Sequence, residues 1–262
     1  MKNCIVIGSG KMATRLATTL FRKGTRIHQV YSPTPAHAAK LAKKVQAQAV
    51  SQLGNITDGD YLYIISVTDD ALPALAHSVN FPSGIIVHTA GTIGMEILAQ
   101  VSPHYGILYP LQTFSATSRT TFSHVPVCLE ASDTATLDFL KNIATLLTSD
   151  IREISSAERK ILHLAAVFAC NFPNALYTIA HNILSEHGLP FSILHPLIME
   201  TATKATRMNP HDAQTGPAFR NDLNIINTHQ EMLSGTPEFR KLYELLSEAI
   251  IALHKPENLP HE

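Results

Sequence analysis

Cysteine is scarce in this sequence: Cys4, Cys128 and Cys170 lie far apart and show no Cys-x-x-Cys spacing. An odd and scattered set of this kind excludes a disulfide framework and a cysteine zinc site, and leaves reduced, buried thiols as the expectation. Fourteen histidines do not supply a metal centre either, because no His-Glu-x-x-His or comparable cluster occurs; no metal is expected. Also missing is any uninterrupted apolar run approaching the roughly 18 residues that span a bilayer, and the first fifteen residues lack a basic segment followed by an apolar one. A cytoplasmic protein with no membrane partner is expected. Net charge is missing as well: 20 Lys and Arg stand against 21 Asp and Glu. That balance excludes a basic face for bulk nucleic-acid binding. The one strong bias is local. The first 57 residues hold nine Lys or Arg and no carboxylate before Asp58, so the N-terminal region is suited to anions.

What is present is enough apolar material to fold. With 262 residues, 45% hydrophobic and 16% charged, the chain can bury a sizeable core in one large or two modest domains. Residues 4–7 form a short apolar run ending at a glycine, as a strand buried on both faces would. Met12, Leu16 and Leu20 follow at helical spacing. Further strands are expected at 27–31, 61–67, 85–88, 106–108 and 125–129, with an Ala-rich helix at 35–44. Strands alternating with helices predict an α/β fold built on a doubly wound, mainly parallel sheet. This pattern runs to about residue 154. Beyond it, Ser155 and Glu158 have the spacing of a capping box. A long helix follows with Ile161, Ala165, Phe168, Phe172, Leu176, Ile179 and Ile183 on one face, kinked at Pro173 and stopped at Gly188-Leu189-Pro190. Helices are predicted at 191–208, 219–233 and 237–254. The expected organisation is therefore a Rossmann-type domain over 1–154 followed by an all-helical domain over 155–262.

Between the first strand and the first helix stand Gly8, Ser9, Gly10, Lys11, Met12 and Ala13. The first glycine permits the tight turn, the second lets a pyrophosphate approach the backbone, and Ala13 lets helix and strand pack closely. This placement predicts dinucleotide binding. An NAD site would have an acidic residue at the end of the second strand. None is available. Ser32 and Thr34 offer hydroxyls there instead, with Lys11, His37 and Lys40 as candidate partners for a 2′-phosphate, so NADP is the expected cofactor. Val67, Thr68 and Asp69 end the third clear strand, where ligands of open sheets sit, although Asp69 and Asp70 would serve equally as caps of the next helix. His88, Thr89 and Gly91 end the following strand, with His88 a candidate proton donor or a loop-positioning group. In the helical half, His163 and Asn171 are candidate cleft residues and Lys204 a candidate acid or substrate anchor. Arg220 is expected to pair with Asp222, the alternative being an anchor for an acidic substrate.

Several of these segments together resemble a known family. They are Ile7 to Ala13, Val87 to Thr92, Tyr109 to Phe114, His163 to Phe168 with Asn171 to Asn174, and Thr215 to Asp222. The chain resembles a family described as NADP oxidoreductases that join a Rossmann-like domain to a helical domain of uncharacterised function. That family is related to pyrroline-5-carboxylate reductase and the 6-phosphogluconate dehydrogenase superfamily. The resemblance implies the fold and the NADP cofactor; the leading expectation for the reaction is hydride transfer between NADP and a small C=O or C=N substrate held between the domains. The long apolar helix face, with the family's mode of association, points to a homodimer formed through the helical domain. Two departures stand out: relatives usually carry His where Tyr109 stands and Gly where Asn221 stands. The catalytic Lys and Asn pair of the dehydrogenases is also absent, since Val167 sits four residues before Asn171. A non-catalytic NADP-binding sensor is the alternative these departures motivate.

Overall fold

The computed structural model describes residues 3–113 and 121–255; Phe114, at the end of one family segment, lies outside them. The described chain divides into two compact units, Met1–Asn171 and Phe172–Glu262.

The first unit is built on an eight-stranded sheet. Its strands are β1 (Asn3–Ile7), β2 (Ile27–Tyr31), β3 (Gln48–Val50), β4 (Tyr61–Ile65), β5 (Ile85–His88), β6 (His104–Pro110), β7 (Val127–Ala131) and β8 (Ile151–Glu153), in the order β3-β2-β1-β4-β5-β6-β7-β8. All neighbours are parallel except β6 and β7, which run antiparallel with Leu108 opposite Leu129. The carboxyl ends of β1, β2, β4, β5 and β6 therefore share one edge.

Alternation along each strand feeds two cores. Cys4, Val6, Leu62, Ile64 and Val87 face α1 (Lys11–Arg22), α2 (Pro35–Lys44) and α4 (Thr134–Ala144), while Ile5, Ile7, Tyr63, Ile65 and Ile86 face α3 (Leu72–His77). Burial on both sides explains why these strands read as continuous apolar runs. Each fully buried Ile or Leu contributes about 1.5–3 kcal/mol. Cys4 and Cys128 are buried thiols, whereas Cys170 is exposed, contrary to the expectation for all three.

The capping box is present at α5 (Ser156–Ala166): the Ser155 N–H donates to Glu158 Oε2 at 2.8 Å, and the Glu158 N–H donates to Ser155 Oγ at 3.3 Å. A π-helical turn, Val167–Asn171, separates α5 from α6 (Phe172–Glu186). It lies just before Pro173, which lacks the N–H that a continuous α-helix would need. Gly188, at φ +68°, closes α6, and the Leu189 N–H donates to Leu184 O at 2.9 Å. The second unit continues with α7 (His195–Arg207), α8 (Leu223–Met232) and α9 (Pro237–Leu253). Helix α8 begins four residues later than its apolar spacing suggests. Asn221 is left-handed at φ +54°, and the Asp222 carboxylate accepts the Ile225 N–H as the cap. Arg220 and Asp222 form no ion pair among the described residues, so that expectation is corrected.

By length and composition alone, the helical stretch Ser156–Glu186 is apolar enough to cross a membrane. Counting uninterrupted apolar residues misses this, because isolated polar residues break the run while lowering its mean hydropathy little. The large hydrophobic side chains exposed in the described structure all lie beyond residue 160, from Ile161 and Leu164 through Phe168 to Leu253.

Candidate functional site

A continuous path of contacts runs along the shared strand edge, starting at the glycine loop. Gly8 has φ +126°, and a Cβ on it would lie 2.1 Å from Ser66 O beyond the end of β4. Only glycine fits there. Gly10, by contrast, has nothing within 4 Å of where its Cβ would stand. It caps α1 with extended backbone, no side chain caps the helix, and its first turn holds no acid. Free N–H groups and the positive end of the helix dipole thus face an open cradle, a donor set that fits a pyrophosphate. Ala13 is fully buried, and Met12 packs against the core. Ser9 Oγ donates to Ser32 Oγ at 3.0 Å, fastening the loop to the end of β2. Thr34 and Lys11 are exposed beside it, and no carboxylate stands at the end of β2.

The path continues across the ends of β4 and β5. Val67 lies beside Gly8, and Thr89 Oγ1 donates to Ser66 Oγ at 3.1 Å. Thr92 Oγ1 donates to the Asp69 carboxylate, and Thr68 precedes that aspartate at the start of a short turn in which neither Asp69 nor Asp70 acts as a side-chain cap. Gly91 comes next. A Cβ there would stand 2.5 Å from His163 Nδ1 and 3.1 Å from Tyr109 Oη, and these two atoms are themselves 3.2 Å apart. Tyr109, at the end of β6, and His163, on α5, thus close on the Ala90-Gly91 turn. Burial pushes the Tyr109 phenol above its ordinary range, so it keeps its proton at neutral pH.

His88 is fully buried. Its Nδ1 accepts the Ala90 N–H at 3.2 Å, which leaves the proton on Nε2 facing Gly94 O at 3.2 Å. Burial lowers its pKa to about 4, so the ring is neutral and both nitrogens are committed to holding the turn. This geometry is that of a positioning group. Because the unfolded ring titrates near 6.5, the unfolded chain binds more protons between pH 6.5 and 4, and stability falls as pH drops through that window. His88 is expected to account for about 3 kcal/mol of that loss. Urea unfolding from pH 7 to 4 should show a flatter pH dependence in His88→Gln; an unchanged slope would refute this.

A buried ion pair supports the same turn. Arg159, fully buried on α5, donates from Nη1 to Glu130 Oε2 on β7 at 2.9 Å and from Nη2 to Ile93 O and to Ser156 Oγ. Ser156 Oγ in turn accepts the Met95 N–H at 3.3 Å and donates to Glu130. Residues 93–95 are therefore held from β7 and α5 together.

Of the four candidate catalytic residues, His88 and His163 meet at this turn. Asn171 is exposed at the end of the π-helical turn. Lys204 is exposed on α7 in the second unit and pairs with Glu200 at 3.3 Å. Sequence reasoning missed Tyr109 as a working residue, and Arg159 and Glu130 entirely; a Glu on a strand and an Arg in a helix's first turn look solvent-facing until the fold joins them.

Residues 2–112 match the Rossmann-like domain family, and residues 125–250 match the domain of unknown function DUF2520. A putative NADP oxidoreductase from Bacteroides fragilis is 44% identical, with a TM-score of 0.91 over 96% of this chain and 98% of that one. At 14% identity the likeness is one of fold: a reductive aminase from Aspergillus terreus, solved with NADPH and ethyl-5-oxohexanoate, has a TM-score of 0.68 over 100% of this chain and 96% of that one. A 1-pyrroline-5-carboxylate reductase from Streptococcus pyogenes has a TM-score of 0.59 over 96% and 99%. No curated protein matches the chain.

Proposed function

Because the chain belongs to the family that joins a Rossmann-like domain to a DUF2520 domain, we propose that it is an NADP-dependent oxidoreductase acting on a small C=O or C=N substrate. The observation that carries this reading is the glycine loop, with Gly8 locked against Ser66 O and an open, uncapped helix start at Gly10. When bound, the nicotinamide supplies the hydride chemistry. Gly8 to Ala13 hold the pyrophosphate, Ser32 and Thr34 with Lys11 meet the 2′-phosphate, and Val67, Thr68, Asp69, Thr89 and Gly91 line the way toward β5. His163, in hydrogen-bond contact with Tyr109, is the candidate proton donor at that end. His88 positions the turn, while Asn171 and Lys204 are the remaining candidates for orienting a substrate between the domains 1–154 and 155–262.

NADPH is expected to bind at least about tenfold more tightly than NADH, a difference of about 1.4 kcal/mol, because no carboxylate waits for a free 2′-hydroxyl. Calorimetric titration giving equal affinities would overturn the cofactor assignment. A protein that binds NADPH yet oxidises it with no member of a broad carbonyl and imine panel would instead fit the sensor reading, which the neutral, committed His88 favours.

The exposed apolar side chains beyond residue 160 support a homodimer formed through the helical domain, in a cytoplasmic protein. Arg159 ties the start of the apolar helix to the sheet, which favours a protein partner over a bilayer for that face. Light scattering at micromolar concentration is expected to give twice the 28.6 kDa chain mass. A monomer would refute it.

A further inference from the structure

A groove of about 990 Å³ runs between α1 and α2, and only its proximal end is accounted for by the proposed cofactor site. At that end lie Ser9, Gly10, Lys11 and His37. Arg22 lies about 18 Å further along α1, at 1.5 Å per residue, beyond the reach of a 2′-phosphate seated at Ser32. Lys44 faces the same distal end from the last turn of α2, Lys40 stands one turn before it, and Phe21 supplies an apolar wall. Lys11, Arg22, Lys40 and Lys44 form no ion pair with any described residue, and the lining contains no carboxylate. Cations in last turns do complement helix dipoles. Lys43, outside the groove, does this as well, so dipoles do not explain why unpaired cations of two helices converge on one concavity. Like charges gathered on one concavity repel, and an anion between them lowers that cost.

We propose that the distal end of this groove is a second anion site, for a small molecule bearing a phosphate or pyrophosphate. Arg22 offers a planar fork to phosphate oxygens and Lys44 a point charge, while Lys40, a candidate for the 2′-phosphate, stands between the two sites. The distinction from the cofactor's own phosphates rests on the cofactor reading above; the distal cations do not. Calorimetric titration with inorganic tripolyphosphate in 150 mM salt tests it, on wild type and on the Arg22→Glu/Lys44→Glu double variant, each with and without saturating NADP⁺. The expected result is tripolyphosphate binding to NADP⁺-saturated wild type, weakened at least about tenfold in the double variant, while NADP⁺ affinity changes less than about twofold. Melting curves establish that the variant, altered only at exposed positions, is folded. Complete displacement of tripolyphosphate by NADP⁺, or undiminished binding to the double variant, would overturn the site. If NADP⁺ does not bind at all, the cofactor reading fails separately, and loss of tripolyphosphate binding in the double variant still decides the distal site.

Discussion

Gly8→Ala is expected to lose nucleotide binding and about 2–6 kcal/mol of stability together. About 1–3 kcal/mol comes from placing a side chain at a strongly positive φ, and about 1–3 from overpacking. The overpacking is severe because the atom met at 2.1 Å is a backbone carbonyl, Ser66 O, which cannot rotate away as a flexible side chain would. Either the loop or the end of β4 must move. Gly10→Ala separates the two effects. Its backbone, at φ −66°, accepts alanine, and the new methyl meets no protein atom, so stability should change little. That methyl does intrude where backbone N–H groups would approach a pyrophosphate, and NADPH affinity should fall at least about tenfold. Thermal melting and nucleotide titration of both variants check this. A Gly8→Ala protein as stable as wild type, or a Gly10→Ala protein binding normally, contradicts the loop geometry described here.

Arg159→Met is expected to cost about 3–5 kcal/mol, since it leaves the Glu130 carboxylate without its counter-charge, held only by the Ser156 hydroxyl, and removes a donor from Ile93 O. Replacing both partners, as Arg159→Met with Glu130→Leu, should recover much of that loss, because the pair's desolvation cost disappears along with its attraction. Stability should recover without the site recovering, since no guanidinium then holds residues 93–95 beneath Gly91. Urea unfolding separates the single from the double variant, and amide exchange across 89–95 reads the turn. If the double variant is no more stable than Arg159→Met, the deficit lies in packing and not in the stranded charge.

The glycine loop was legible in the sequence because everything it needs lies within consecutive residues between one strand and one helix. Strand existence was equally legible where both faces are buried, as in β1 and β4. Direction was not: nothing in Val127–Ala131 distinguishes a strand running against β6 from one running with it, and β3 and β8, three residues each, are too short for periodicity to register. The Tyr109–His163 contact joins residues 54 apart in sequence, and only tertiary packing makes it. His163 could be named for its chemistry, but its partner could not. Asp69 offered two local readings, cofactor contact and helix cap. The structure adds a third, a hydrogen bond from Thr92, on the loop after the neighbouring strand.

That last bond has a mechanical consequence. Ser66 with Thr89, and Asp69 with Thr92, rivet the segments leaving β4 and β5 to each other at two successive points, and the Thr89 N–H adds a backbone rung to Ile65 O at 3.1 Å. Two loops that would otherwise fluctuate independently share one set of hinges. The turn beside Gly8 and the turn at Gly91 are thus tied through side-chain hydroxyls as well as through the sheet.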